Sequence, residues 1–118
     1  MIDKKAYQKM DYALCLLSAH ADGKDSGCII NTFHQVTSSF PANFTIAVNR
    51  ENVTAAAVEQ AGSFCVTLLA HDAPAALIND FGYRSGRVAD KFSPYEVRRD
   101  EVGNPYLPTV WSPGYPAV

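Results

Sequence analysis

Residues 27–54 read GCIINTFHQVTSSFPANFTIAVNRENVT, and this stretch decides the fold. It begins with an apolar run, Cys28 to Ile30, and later has a second, Phe44 to Val48. The segment between them, from Asn31 to Ser39, is polar but keeps the β-branched and aromatic residues of an extended chain. Polar residues with strand character indicate a surface that faces something other than solvent. The stretch therefore predicts strands beside a ligand site.

The residues before this stretch predict a strand that pairs with the strand starting at Cys28. Residues 12–20 are apolar at both alternating sets of positions, which is typical of a strand buried on both faces. The turn-forming residues Asp22 to Gly27 follow, so the returning strand is expected to start at Cys28 and to complete a hairpin. A short helix is predicted over residues 3–10, with Asp3 as its cap.

The residues from 52 onwards predict short helices and short strands. An alanine-rich helix is expected over 52–60, with Asn52 or Thr54 as cap and Gly62 as stop. A strand over 63–70, a helix over 74–81 capped by Asp72, and a strand near 95–98 are expected next. The tail, 103–118, holds four of the seven prolines and is predicted to be irregular.

These elements predict one mainly β domain of 118 residues with short helices. The helices are too few and too short to cover both faces of a doubly wound sheet, so a small barrel is favoured. A net charge of -2 without charge blocks argues against nucleic acid as a partner. No apolar run approaches the roughly 20 residues that cross a bilayer, and no signal peptide is recognisable, so a cytoplasmic protein is expected.

No sequence motif of nucleotide-binding folds, zinc proteases or serine hydrolases occurs. Cys15, Cys28 and Cys65 lack metal or redox spacing and are expected to be reduced, buried thiols, with a functional role left open for Cys28. The histidines, His20, His34 and His71, also lack ligand spacing and are expected to be structural.

What remains is a cluster of hydroxyl and amide side chains within residues 31–54. Hydroxyl and amide groups, together with a cation and the N–H groups at the start of a helix, can bind a phosphate. Backbone amides beside an apolar wall can bind a flat ring. The alternative is that they are ordinary caps and turns. The cluster consists of Asn31, Thr32, Gln35, Thr37, Ser38, Asn49, Arg50, Asn52 and Thr54.

Three blocks in order, residues 27–54, GSFCVTLL at 62–69 and FGYRSGRVADKF at 81–92, carry a family resemblance over about residues 6–107. The chain resembles the flavin reductase-like domains of the FMN-binding split-barrel superfamily. It is most similar to the subgroup found alone or fused to rubredoxin and flavodiiron partners. The resemblance implies a six-stranded Greek-key antiparallel barrel that dimerises and holds one FMN per subunit near the interface.

The resemblance also implies which residues hold FMN. The first group would follow the ring and ribityl chain, the second would meet the ribityl hydroxyls and the phosphate, and the third would close over the cofactor. Asp90 and Lys91 have a second interpretation, as a solvated charge pair. The group along the ring and ribityl chain consists of Cys28, Asn31, Thr32, Gln35, Val36, Thr37 and Ser38. The group at the ribityl hydroxyls and the phosphate consists of Asn49, Arg50, Asn52 and Thr54. The group that would close over the cofactor consists of Ser85, Gly86, Arg87, Asp90, Lys91 and Phe92.

The implied activity is transfer of a hydride or electrons from NAD(P)H through FMN to a flavin, iron or protein acceptor. Such chemistry needs positioning and electrostatics rather than a catalytic triad, so no catalytic residue is assigned. Arg50, Arg87 or Lys91 could stabilise the anionic reduced flavin. Related domains continue past the element seen here as Gly103, Pro105 and Leu107, so either a short member or a partner that supplies the missing wall is expected. A flavin carrier or electron-transfer module, or a binding module without cofactor, stays open.

Overall fold

A computed structural model describes residues 14–69, 75–82 and 91–108. The predicted helix at 3–10, His71, Asp72, Pro74, the site residues Ser85, Gly86, Arg87 and Asp90, and the tail beyond residue 108 lie outside these ranges. In chain order, the elements are β1 (Cys15–Ala21), β2 (Lys24–Ile30), β3 (Phe33–Gln35), β4 (Phe44–Ile46), α1 (Val53–Ala61), β5 (Cys65–Leu68), α2 (Ala75–Gly82), β6 (Arg98–Arg99) and β7 (Pro105–Tyr106).

The central sheet has the order β2-β1-β5, with both pairs antiparallel. The hairpin turn consists of Asp22 and Gly23 alone, with φ of 53° and 71°. Two residues with positive φ reverse a chain with the twist that the strands need. The predicted turn over 22–27 is therefore too long, because residues 24–27 already pair with β1.

Both faces of the central sheet are buried, as the sequence predicted for β1. One face carries Cys15, Leu17, Cys28, Ile30 and Val66, and Phe33, Ile46 and Val58 pack against it. On the other face, Leu16 packs with Leu77, Phe81, Phe92 and Leu107. The three cysteines are free and buried, as expected. The sheet thus separates two apolar layers, one under α1 and one under α2.

Gly27 in β2 lets two aromatic rings approach the sheet. A Cβ at this position would lie 2.8 Å from Cζ of Phe92 and 3.1 Å from Cε1 of Phe81. The two rings meet edge to face with their centroids 5.0 Å apart. The absence of a side chain at Gly27 is therefore what brings the segment from Lys91 onwards onto β2.

The strands β3 and β4 pair with each other as a separate hairpin, which we call the arm, residues 33–46. The rings of Phe33 and Phe44 stack across it with centroids 5.0 Å apart. Extended structure between Asn31 and Ser39 was predicted and is confirmed at β3. The predicted strand from Phe44 ends at Ile46, before Val48.

Helix α1 confirms its predicted caps. The side chain of Asn52 accepts a hydrogen bond from the Thr54 N–H, and Gly62 closes the helix in the left-handed conformation with φ of 70°. Helix α2 confirms the predicted second helix and buries Leu77 and Phe81. Neither helix is long enough to cross a membrane, and no other helix occurs in the described ranges.

The strands β6 and β7 form a small antiparallel pair. The strand predicted near 95–98 starts only at Arg98, and the prediction of an irregular tail is wrong at Pro105 and Tyr106. Pro105 can join the pair because an edge strand tolerates proline. Burial fixes this segment, since Leu107 is fully buried and the Asn104 side chain bonds to the His20 N–H and the Ser63 hydroxyl, both at 3.0 Å.

The observed fold is mainly β with two short helices, as predicted. Within the described ranges the strands form three small sheets, and these do not close into a six-stranded barrel. The ends of β2 and β4 and the start of α1 come together on one side of the central sheet, and the candidate site lies there.

Candidate functional site

A cleft of about 300 Å³ opens where β2 ends, where the chain leaves β4 and where α1 begins. Its apolar wall consists of side chains that were not among the predicted site residues. Its polar groups are four that were predicted. The lining residues are Leu14, Ile29, Ile30, Ala47 and Val48 for the wall, and Cys28, Asn31, Asn49 and Asn52 for the polar groups.

Sequence reasoning missed the wall because, apart from Val36, Gly86 and Phe92, it selected residues with polar side chains. The signal was nevertheless present, since Ile29, Ile30, Ala47 and Val48 are neighbours of predicted residues within the same runs. None of the described residues that line the cleft is charged. An apolar wall with a few amide groups is the composition expected of a site for a flat organic ligand.

Two asparagines at the start of α1 are oriented by the backbone. Oδ1 of Asn49 accepts from the Glu51 N–H at 3.0 Å, and Oδ1 of Asn52 accepts from the Thr54 N–H at 2.9 Å. Because each amide oxygen is engaged, the orientation of each side chain is set. The two NH₂ groups make no hydrogen bond to the described part of the chain and are available as donors beside the cleft.

The prediction of free N–H groups between Asn52 and Thr54 needs correction. The Asn52 N–H donates to the Asn49 carbonyl at 2.9 Å, the Thr54 N–H is capped, and the Ala55 N–H donates to the Asn52 carbonyl at 3.0 Å. The turn before α1 therefore uses the Asn52 and Thr54 donors itself, and of the predicted groups the Val53 N–H has no acceptor within the described residues. The neighbouring Arg50 is exposed and supplies the cation nearest in sequence to the two amides.

Thr54 and Lys91 are buried residues that interact with Cys28, and of these three residues only Cys28 lines the cleft. Thr54 is 1% exposed and its hydroxyl is hydrogen-bonded to Cys28. Burial raises the pKa of the Cys28 thiol, while that hydrogen bond and the charge of Lys91 act in the opposite direction. The thiol is therefore held protonated and is a neutral group in the lining of the cleft.

Lys91 is 8% exposed, and its Nζ donates to the Gly27 carbonyl at 3.0 Å. The interpretation of Lys91 as half of a solvated charge pair is therefore wrong. Gly27 is the neighbour of Cys28 in β2, and the Lys91 Nζ also lies 5.9 Å from the centroid of the Phe81 ring. Phe92 is 4% exposed, packs in the core with Phe81 and does not line the cleft.

The predicted residues 35–38 lie on the arm, away from the cleft lining. Nε2 of Gln35 donates to the Thr37 carbonyl at 2.7 Å, and Oγ1 of Thr37 accepts from the Asn43 N–H at 3.0 Å. Val36 and Ser38 are exposed. Thr32 is half-buried, and its hydroxyl donates to Oδ1 of Asn31 at 3.3 Å. Within one chain, the structure thus brings Cys28, Asn31, Asn49 and Asn52 together and leaves residues 35–38 outside the cleft.

A second polar cluster joins the turn of the β1–β2 hairpin to β6. Arg99 makes two bonds to the Asp25 carboxylate, at 2.8 and 2.9 Å, and Nδ1 of His20 lies 2.7 Å from the same carboxylate. The guanidinium of Arg99 is the main reason that the pKa of Asp25 is lowered. The cluster joins two hairpins and does not line the cleft, so its role is structural.

Comparison with known proteins decides the family. The profile of the flavin reductase-like domain matches residues 7–111. The chain belongs to the flavin reductase-like domain family. Over 106 residues it is 33% identical to a high molecular weight rubredoxin of Moorella thermoacetica and 33% identical to a ferric-chelate reductase (NAD(P)H) of Archaeoglobus fulgidus. These alignments cover 90% of this chain but 46% and 62% of the two relatives.

Solved structures of other proteins share the fold of this chain. A flavoredoxin of Methanosarcina acetivorans superposes with a TM-score of 0.75 at 22% identity, covering 91% of this chain and 56% of the flavoredoxin. An FMN-binding protein of Thermus thermophilus gives 0.75 at 15% identity, covering 91% of this chain and 58% of that protein. The predicted family is confirmed, and the chain spans roughly half of the length of these proteins.

Proposed function

We propose that this chain binds FMN in the cleft and passes electrons from NAD(P)H through the bound FMN to a flavin, iron or protein acceptor. The observation that carries the proposal is an uncharged cleft with an apolar wall and two fixed amide groups, in a member of the flavin reductase-like family. The predicted cofactor agrees with the flavin of the family description and with the FMN-binding protein that shares the fold.

The chemistry of the cleft suits FMN. The apolar wall, with Ile29 and Val48, would contact the ring, and the NH₂ groups of Asn49 and Asn52 would donate to the ribityl hydroxyls or the ring carbonyls. The phosphate would lie toward the exposed Arg50, whose planar group suits bidentate phosphate contacts. The volume of about 300 Å³ lies at the lower end of the range for organic ligands.

When bound, FMN supplies the capacity to accept a hydride and to release its electrons one or two at a time. The chain supplies orientation and electrostatics. Asn49 and Asn52 fix the cofactor through amides that the backbone already holds in place, and the apolar wall keeps water from the ring. The buried Lys91 ammonium, which donates to the Gly27 carbonyl next to Cys28, would add positive charge near the cleft, and positive charge favours the reduced, anionic flavin.

The electron donor and the assembly belong to the proposal as well. One relative is named as an NAD(P)H-dependent ferric-chelate reductase, which supports a nicotinamide as donor and iron as an acceptor. We further infer a homodimer with FMN near the interface, located in the cytoplasm. An open cleft on a small domain supports the dimer, because a second copy would cover it.

Titration of the purified protein with FMN, followed by addition of NADH or NADPH without oxygen, tests the proposal. Tight binding should shift the visible flavin spectrum, and either nicotinamide should bleach it faster than in a solution of free FMN. Replacing Asn31, whose side chain lines the cleft and is exposed, by Glu should abolish binding without unfolding. Absence of FMN binding by the wild-type chain would refute the proposal.

The second candidate is an electron-transfer module that a protein donor reduces. A relative named as a rubredoxin favours it, because rubredoxin is an electron-carrying protein. FMN that binds tightly but is bleached by neither nicotinamide would support this candidate. Rapid bleaching by NADH or NADPH alone would exclude it.

A further inference from the structure

A second cleft lies between the β1–β2 hairpin and α1. Its volume is about 220 Å³, and it shares no lining residue with the cleft that is proposed to hold FMN. Half of its lining residues are small and apolar, and the other half are polar or charged. They are Ala21, Val53, Ala56 and Ala57, and then Asp22, Lys24, Ser26 and Gln60.

The size of the side chains explains why this space is open. On the face of the sheet under α1, β1 carries Leu17 in its middle but Ala19 and Ala21 toward the turn. Helix α1 brings Ala56 and Ala57 to the same place. Protein interiors are normally filled to the density of organic crystals, but methyl groups on both the sheet and the helix cannot fill the gap between them. The second cleft is therefore a product of the sequence of both elements.

Ser26 brings a buried polar group to the second cleft. The residue is 7% exposed and lines the cleft. Its hydroxyl makes no hydrogen bond to any residue in the described part of the chain. Because buried polar groups are nearly always hydrogen-bonded, a buried hydroxyl at the wall of a cavity indicates a partner that a bound molecule supplies.

The other polar side chains narrow the chemistry of that molecule. Gln60, exposed in the last turn of α1, presents a donor and an acceptor side by side, and the edge of adenine presents the complementary pair. The Asp22 carboxylate can accept hydrogen bonds from ribose hydroxyls, and the Lys24 ammonium can donate to a phosphate. A ligand without hydroxyl donors would leave Asp22 opposed to its phosphate. Together these groups match an adenosine phosphate.

We propose that the second cleft binds the adenosine phosphate part of an adenine nucleotide. The ring lies on the alanine side chains with Ser26 and Gln60 at its edge, and the ribose and phosphate meet Asp22 and Lys24. The nucleotide is either the adenylate half of NAD(P)H or a free adenine nucleotide. Ser26 and Cys28 are two residues apart on the same face of β2, about 7 Å along the strand, so one dinucleotide can reach both clefts. Only the dinucleotide source rests on the proposed function.

Calorimetric titration of the FMN-free protein with AMP tests the site. AMP should bind, and GMP should bind about tenfold more weakly or worse, because guanine presents a carbonyl where adenine presents an amino group. Saturating FMN should not displace AMP, since the two clefts share no lining residue. No binding of AMP, equal binding of GMP, or displacement of AMP by FMN would overturn the inference.

Two variants place the nucleotide in the second cleft. Ser26→Ala removes a hydroxyl without a partner in the described ranges, so unfolding in urea should be unchanged while AMP affinity falls about threefold to tenfold. Gln60→Ala should lower the affinity for AMP to that for GMP. Glu59→Ala is the matched control, because Glu59 is the exposed neighbour of Gln60 on α1 and lines neither cleft. Wild-type AMP affinity in both Ser26→Ala and Gln60→Ala would overturn the inference.

Reduced nicotinamide mononucleotide, which lacks the adenylate half, distinguishes the two sources in the FMN-loaded protein. If NADH occupies the second cleft, Gln60→Ala raises the KM for NADH about tenfold and leaves the KM for the mononucleotide unchanged. If the ligand is a free adenine nucleotide, neither KM changes although AMP binding is lost. An equal rise in both KM values would show that Gln60 acts on the fold, and it would overturn the assignment. A wild-type chain that binds AMP but no FMN would refute the proposed function and leave this site standing.

Discussion

Single residues decide how closely the layers of this protein approach each other. At Gly27, the missing side chain lets Phe81 and Phe92 contact β2, and the Lys91 ammonium bonds to the Gly27 carbonyl. At Asn52, one amide both caps α1 and faces the cleft. Both residues affect the packing of the protein as well as its candidate site. Conservative substitutions at them therefore test the effect on the stability of the fold separately from the effect on FMN binding.

Replacing Gly27 by Ala should destabilise the protein by about 1–3 kcal/mol, because the added methyl group overpacks a filled core. The Cβ contact of 2.8 Å to Phe92 requires the ring or the strand to shift. Urea unfolding followed by circular dichroism measures the loss. Gly82→Ala is the control, since a Cβ there meets Ile29 at an ordinary 3.6 Å. Equal stability of the two variants would contradict the close contact between Gly27 and the Phe92 ring.

Replacing Asn52 by Ala should cost about 1 kcal/mol, because the cap of α1 is lost. Replacing it by Asp should keep that stability, since a carboxylate oxygen can still accept the Thr54 N–H. The Asp variant should nevertheless bind FMN more weakly, because the NH₂ donor is gone and a negative charge faces an anionic ligand. Urea unfolding and FMN titration of the wild-type protein and both variants measure the stability and the FMN affinity separately. Wild-type FMN affinity in the Asp variant would show that this amide does not donate to the cofactor.

At the scale of elements, the hairpins are joined by polar contacts rather than by one continuous sheet. Arg99 of β6 holds Asp25 of β2, and the Asn104 side chain holds the His20 N–H of β1. These contacts fix the segment that carries Pro105 and Leu107 onto the second face of the sheet. Within the described residues, no comparable polar contact joins the arm to the central sheet.

The pairing of Asp25 and Arg99 should make the attachment of β6 and β7 sensitive to acid. The pKa of Asp25 is lowered in the folded protein from an ordinary value of 3.8, so the unfolded chain takes up the proton first as the pH falls. The stabilisation by the Asp25–Arg99 pair is therefore fully present above the unfolded pKa of 3.8, and it is lost as the pH falls through the lower pKa of Asp25 in the folded protein. Its size should be at most about 1 kcal/mol, because Arg99 is half exposed.

Unfolding measured between pH 6 and about pH 2 should therefore show a weaker acid dependence in Asp25→Asn than in the wild-type protein. Asp22→Asn, at an exposed position in the same turn, is the control and should follow the wild type. The same slope in all three proteins would show that the pair contributes nothing to stability.

At the scale of the whole molecule, binding of FMN and formation of a dimer are expected to stabilise a domain with a small core. The described strands make three sheets and leave the cleft open. A ligand that binds only the folded state stabilises it by mass action, by about 2.7 kcal/mol when its concentration is one hundred times the dissociation constant. FMN should therefore raise the unfolding temperature of the wild-type chain in proportion to the logarithm of its concentration. Asn31→Glu should show no such rise, and a rise in that variant would place FMN elsewhere.

The sequence by itself determined the family, the mainly β composition, both cap residues of α1, the burial of both faces of β1, and four of the polar residues that line the cleft. These features depend on local conformational preference and on the alternation of apolar residues, which neighbours in the chain set. Only the tertiary structure decided the apolar wall of the cleft, the burial of Lys91 and the separation of residues 35–38 from the cleft. Those depend on contacts between residues far apart in the chain, such as Lys91 with Gly27, and no local pattern contains them.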